Sequence, residues 1–346
     1  MINSYPPLGL GYLAAVAEQD GHEVRIHDFG LYPSQPLEED ARQVADYKPD
    51  LVAFTSMTTS YHYVEQLVQR LKGELGVPVI IGGPHATTMP DATLANPNID
   101  YLIYGEGEHI WQDFLRALES GDTRWGEIPG LWYKDEGKVV PGGSRKPIED
   151  LDALPFPSRH LYDLSKYPLY APNGEPMLTI LSSRGCPYAC SFCFKGIVGR
   201  SYHQRSPENI VEELKQVSEA YGIRNFYFID DLFTIDVKRL EKILDYFIDQ
   251  RLDYRWRCLA RVDRVTPELL KKMYRPAAAR STTASRAATR RCSSAPPSTS
   301  TCSRCATRSG GPRTRAFAPR ATSSWACRAT TRRPCRKPSS SRPAWS

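Results

Sequence analysis

Three cysteines carry the densest chemistry in this chain. Cys186, Cys190 and Cys193 fall in the run Arg184-Gly185-Cys186-Pro187-Tyr188-Ala189-Cys190-Ser191-Phe192-Cys193. Thiolates this close in sequence converge on one metal centre only from a loop, and Gly185 and Pro187 permit a loop directly after a strand. A four-iron cluster ligated wholly by thiolate uses four cysteines, so three leave one iron open to bind something else. The competing chemistry is zinc, which needs a fourth Cys or His. His203 and Cys258 are the candidates, and neither shows the paired spacing of a zinc-binding partner.

Downstream, Phe228-Ile229-Asp230-Asp231-Leu232-Phe233-Thr234 ends a strand in paired carboxylates. Asp230 and Asp231 either meet a ligand at the strand end or cap the next helix. Arg261, in Ala260-Arg261-Val262-Asp263, has the bidentate geometry that suits a carboxylate, or is a surface arginine. Upstream lie Pro6-Pro7-Leu8-Gly9-Leu10, Gly82-Gly83-Pro84-His85-Ala86 and Tyr104-Gly105-Glu106-Gly107-Glu108. Glycines at the ends of parallel strands let a large cofactor approach the backbone, although each run also fits an ordinary strand-to-helix loop.

The elements that must position these groups follow from periodicity. Residues 1–125 alternate short apolar runs with amphipathic stretches, the pattern of a doubly wound α/β domain with a parallel sheet. Strands are predicted at 23–28, 50–55, 78–82 and 101–104, with helices at 8–19, 36–47, 61–75 and 107–119. Residues 126–176 read as a short hairpin and a linker, with Leu154-Pro155-Phe156-Pro157 an extended connection. Residues 177–275 read as the first half of a (β/α) barrel: strands at 177–181, 225–229 and 255–259, and helices at 207–221, 236–250 and 266–274. Ser206 and Pro207 form the helix start at 207.

Composition bounds the rest. The chain has 346 residues, 41% hydrophobic, and a net charge of +6. Residues 276–346 hold 14 Arg and one Lys and no acidic side chain, which leaves 30 basic against 39 acidic residues, a net −9, for residues 1–275. The body is acidic, which argues against a nucleic-acid-binding protein acting through its basic tail, although phosphate neutralisation by that tail is the chemistry such a protein would use. The tail lacks Leu, Ile, Val and Met altogether, so it cannot build a core and reads as a disordered Arg/Ser/Ala-rich extension. Read from the third base of suitable synonymous codons, the stretch from Arg275 gives AGCREVYYGIESG, and Ala321 to Pro334 gives GYFILGLPGDDAET; both are ordinary folded-protein sequence, so a shifted reading frame is expected. No run of about 18 apolar residues and no signal peptide are seen, so a cytoplasmic protein without a transmembrane segment is expected.

The cysteine run, matched in Cys186, Cys190, the aromatic Phe192 and Cys193, resembles the signature of the radical S-adenosylmethionine (SAM) superfamily. The first 125 residues resemble the cobalamin (B12)-binding domain that precedes many such enzymes. The resemblance implies a 4Fe-4S cluster on the three cysteines, SAM chelated at its open iron, and a 5′-deoxyadenosyl radical made by reductive cleavage. It implies that Phe192, Asp230, Asp231 and Arg261 contact SAM, and that Pro7, Leu8, Gly9, Thr55, Ser56, Gly82, Gly83, Tyr104, Gly105, Glu106 and Gly107 contact cobalamin. No Asp-x-His-x-x-Gly is present, so no histidine ligand to cobalt is expected, and His27 and His85 read as loop residues. The implied reaction is C-methylation of a small-molecule or lipid-like substrate, with electrons from an external flavodoxin- or ferredoxin-type donor. Oxidative cyclisation and rearrangement are alternatives that no residue here separates from methylation, and an inactive truncated product is a third, because half the barrel is missing from the chain in this frame.

Overall fold

The computed structural model describes residues 5–143, 146–196, 198–274 and 285–286. The tail from residue 276, expected to be disordered, lies outside the described residues except for Ser285 and Arg286.

The N-terminal region runs α1 (Leu8–Gln19), α2 (Leu37–Asp46), β1 (Val52–Thr55), α3 (Tyr61–Leu75), β2 (Val79–Gly82), α4 (Gly83–Thr88), α5 (Pro90–Leu94), β3 (Tyr101–Ile103) and α6 (Glu108–Ser120). Strands β1, β2 and β3 are parallel neighbours. β2 is apolar on both faces because both are covered. Val79 and Ile81 pack with α2 and α3, and Ile80 packs with α1 and α6, as doubly wound sheets require.

Two features depart from the sequence expectation. The hairpin β4 (Leu131–Asp135) and β5 (Lys138–Val140) joins the β3 edge antiparallel, so the sheet is mixed rather than wholly parallel. The segment predicted as a strand at 23–28 joins no ladder. Val24 packs against the α1–α6 core and Arg25 lies 4.3 Å over the Tyr47 ring. Its alternation is therefore met by side-chain packing, while a strand exists only where a neighbour shares its hydrogen bonds.

The second region holds β6 (Met177–Ile180), β7 (Ser183–Arg184), β8 (His203–Gln204), α7 (Pro207–Tyr221), β9 (Asn225–Phe228), α8 (Val237–Asp249), β10 (Arg255–Ala260), α9 (Pro267–Met273) and β11 (Ser285–Arg286). Its sheet runs β6-β9-β10-β11, all parallel. Ile180, Phe226, Phe228, Trp256 and Cys258 face the helices in one core with Leu214, Leu244 and Phe247. The helix starts are set by side chains. Ser206 accepts from Asn209 N at 3.1 Å, Asp236 from Arg239 N at 3.0 Å and Thr266 from Leu269 N at 3.1 Å, each cap contributing about 1 kcal/mol. Asp236, not Asp230 or Asp231, therefore caps α8.

Candidate functional site

The cysteines lie on a loop whose neck is a two-stranded antiparallel stem. Arg184 pairs with His203, and Ser183 with Gln204. At the neck Gly185 has φ +76°, and a Cβ there would stand 2.1 Å from the Ser201 carbonyl oxygen, so only glycine fits. Beyond it Cys186 is buried, Cys190 half-buried and Cys193 exposed. Among the described residues no three His, Cys, Asp or Glu side chains are drawn together as a closed metal cage. The donor set nonetheless fits a cluster: three thiols on one loop, with cations beside them. Arg261 Nη1 donates to Cys190 Sγ at 3.4 Å. Burial alone would lower the Lys195 pKa, but Cys186, Asp231 and Cys193 hold it above its usual value. Cys258, the zinc alternative, points into the helix-facing core, where burial pushes its thiol pKa up; it is not a fourth ligand.

The loop is fastened from below. Asp230 is fully buried and accepts from Ser182 N at 2.7 Å, Ser183 N at 2.8 Å and the Ser182 hydroxyl. Burial raises its pKa, opposed by those hydrogen bonds and by Arg239. Asp230 is thus turned into the protein as the fastener of the stem, while its neighbour Asp231 is 54% exposed and lies 3.8 Å from Lys195 Nζ. Arginines hold the end of β6: Arg159 donates to Thr179 O at 2.9 Å, Arg205 to Leu181 O at 2.9 Å and Arg239 to Ser182 O at 2.6 Å. Glu213, wholly buried, neutralises Arg159 at 2.7 Å and Arg205 beside it.

At the rim, Arg261 lies 4.1 Å over the Tyr188 ring and is gripped by Asp263 through two bonds of 2.9 Å. Phe192 is 63% exposed on the loop and meets no ring within the described residues.

The residues expected at a corrinoid gather at the carboxyl edge of the first sheet. Thr55 ends β1 and Ser56 follows it, Gly82 ends β2 and Gly83 opens α4, and Tyr104 to Gly107 follow β3. Two observations fit a large ligand here. Ser56 Oγ is buried without a partner among the described residues. Gly83 has φ +86°, and a Cβ would stand 2.3 Å from Thr55 Oγ1, so this edge admits backbone only. Pro7 precedes α1 and its carbonyl accepts from Tyr162 Oη at 2.8 Å; Leu8 and Gly9 form the first turn of that helix. His85 is buried, stacked 3.8 Å from the Tyr61 ring, with Nδ1 3.2 Å from Thr58 Oγ1. Burial lowers its pKa. His27 stacks on Phe29 at 6.2 Å.

One contact, not read from the sequence, joins the two sites. Arg184, at the neck of the cysteine loop, donates to Glu106 at 2.9 Å and to Glu108 at 2.5 and 3.1 Å. Glu106 also accepts from Ile148 N at 2.9 Å. All three side chains are nearly buried. The loop expected at the corrinoid is therefore tied directly to the loop that carries the thiols.

Comparison with known proteins decides the family. Residues 3–115 match the B12 binding domain and residues 180–276 match the radical SAM superfamily. The chain is a B12-binding member of the radical SAM superfamily. It is 35% identical over 272 residues to an uncharacterized methyltransferase of Pyrococcus horikoshii, covering 78% of this chain and 58% of that one. It is 30% identical over 292 residues to the cytidylyl-2-hydroxyethylphosphonate methyltransferase of Streptomyces wedmorensis, covering 70% and 54%. The fold is similar to TsrM, a radical SAM methyltransferase from Kitasatospora setae solved with cobalamin and a [4Fe-4S] cluster, with TM-score 0.63, 20% identity and coverage of 78% and 54%. The chain thus spans little more than half the length of the relatives it matches. No helix among the described residues is long and apolar enough to cross a membrane.

Proposed function

We propose that this chain is the cobalamin- and cluster-binding part of a radical SAM methyltransferase acting on an unactivated carbon. The tie from Arg184 to Glu106 and Glu108 carries this reading, because it fastens the thiol loop to the corrinoid-side loop and so holds two cofactor sites at a fixed approach. Orientation of this kind is what two-cofactor chemistry needs from a protein. When bound, the cluster supplies one electron to the SAM sulfonium and the corrinoid supplies the methyl group.

The chain's own side chains then take separate tasks. Cys186, Cys190 and Cys193 hold three irons. Arg261, beside Cys190, meets the SAM carboxylate, and exposed Asp231 meets a hydroxyl or ammonium of the same ligand. Phe192, free on the loop, covers the adenine. Asp230 positions the stem and does not touch SAM. Backbone at Gly82, Gly83 and Gly105 to Gly107, with Ser56 Oγ, receives the corrinoid. Electrons come from an external flavodoxin- or ferredoxin-type donor, and the substrate is a small or lipid-like molecule.

The test is product analysis after anaerobic loading with iron, sulfide and cobalamin, then SAM and a low-potential reductant. The methyltransferase reading expects both S-adenosylhomocysteine and 5′-deoxyadenosine. 5′-Deoxyadenosine alone would favour a cyclase or rearrangement enzyme, and neither product would mark an inert chain.

A further inference from the structure

We propose that Arg257 is the anchor for an anionic group of the substrate, a carboxylate or a phosphate, on the face of the second sheet turned away from the helices. The inference rests on the radical SAM reading above and adds a substrate class to it. Along β10 the side chains alternate: Trp256, Cys258 and Ala260 are buried on one face, and Arg255, Arg257 and Leu259 occupy the other. That second face is the one turned away from the helices, as Trp256 and Cys258 lie in the helix-facing core.

The two arginines on this face differ. Arg255 is neutralised by Glu175 at 3.1 Å. The Arg257 side chain has neither an ion pair nor a hydrogen bond among the described residues, and its Nε is buried without a partner. A half-buried guanidinium that meets no acceptor is costly to keep, which is the mark of a group kept for a ligand. Its plane is already set. Tyr227 stands directly across in the ladder, and the guanidinium lies 4.2 Å over its ring. Stacking fixes the plane without using an N–H donor, which leaves the donors for an oxyanion.

Position separates this group from SAM. Arg257 precedes Arg261 by four residues, about 13 Å at strand rise, so it sits deep on the face while Arg261 meets the cysteine loop at the rim. Tyr5, which leads into the Pro7 segment, is close enough to Tyr227 to raise the pKa of that phenol, alongside its burial.

The experiment uses the iron-loaded full chain with inorganic phosphate and acetate as probes, followed by 31P and 13C line broadening, in the unaltered protein and in Arg257→Gln, Arg257→Lys and Arg255→Gln. SAM affinity is measured by calorimetry in parallel. Loss of one or both charge-assisted bonds in Arg257→Gln is expected to weaken anion binding about ten-fold or more. Arg257→Lys retains part of it, and Arg255→Gln and SAM affinity stay within about two-fold of the unaltered protein. Stronger phosphate than acetate binding points to a phosphorylated substrate and the reverse to a carboxylate; either preference supports the anchor. No binding of either probe, equal binding in Arg257→Gln, or parallel loss of SAM binding overturns it. Anion binding that depends on Arg257 in a chain that takes up no cluster would leave the anchor standing and sink the radical SAM reading. A cluster with no such binding would do the opposite.

Discussion

The two candidate cofactor sites are built on different principles. On the corrinoid side the shape is fixed by backbone: β1, β2 and β3 end side by side, Gly83 sits where no Cβ fits, and the core behind it is closed on both faces. On the cluster side the thiols ride a loop without regular structure, from buried Cys186 to exposed Cys193, above a paired neck. The first site is preformed by packing; the second is a set of ligands on a braced stem, to be closed by the iron itself, since metal binding energy can complete local folding. A mutation should therefore separate cofactor loss from fold loss on one side and not on the other.

The largest effect expected is on cluster content. Cys190→Ala should abolish cluster assembly and SAM cleavage while leaving thermal unfolding of the cluster-free protein within about 2 °C of the unaltered chain, read by iron analysis and calorimetry. A large loss of stability would mean the loop is part of the core after all. Next is the brace. Glu213→Ala strands Arg159 and Arg205 in the interior, and breaking a buried pair in this way costs about 3–5 kcal/mol, measurable by urea unfolding; Glu213→Gln should cost less.

Gly83→Ala should cost about 1–3 kcal/mol from a side chain forced into left-handed backbone and should also weaken corrinoid retention through gel filtration. Both losses together are the signature of a preformed site, and unchanged retention would break the contrast. The smallest effect is that of pH on the tie between the sites. Burial works to raise the Glu108 pKa, but Arg184 holds it below the ordinary 4.5. A carboxylate with a depressed folded pKa stabilises above its unfolded value and loses that contribution as the pH falls through the folded value. The advantage of the unaltered chain over Glu108→Gln should therefore be full at neutral pH and decline only below about 4.5.

Most elements were legible because local signals agreed. Ser206-Pro207 start a helix where periodicity changes from two to 3.6, and the cysteine run lies after a strand, as its glycine and proline imply. What was not legible depends on distant partners. The stem from Ser183-Arg184 to His203-Gln204 is two residues on each side and leaves no pattern. The roles of Asp230 and Asp231 divide only once Ser182 and Ser183 are seen to fill the acceptors of one of them. Arg184, Glu106 and Glu108 each sat in a recognised motif, yet nothing in one dimension pairs them. Glu213 did leave a trace: it is an acidic residue on the stripe of Ile210, Val211, Leu214 and Val217, and a charge on an apolar face implies a buried counter-charge. Segment 23–28 shows the opposite failure, an alternating pattern satisfied by packing alone.

The most direct test of the central claim is metal analysis with absorbance and electron paramagnetic resonance on the anaerobically reconstituted chain, with and without SAM. About four irons per chain, a brown chromophore, and a reduced-cluster signal that shifts when SAM binds the open iron are expected. A colourless protein with stoichiometric zinc, or a cluster whose signal ignores SAM, would contradict it.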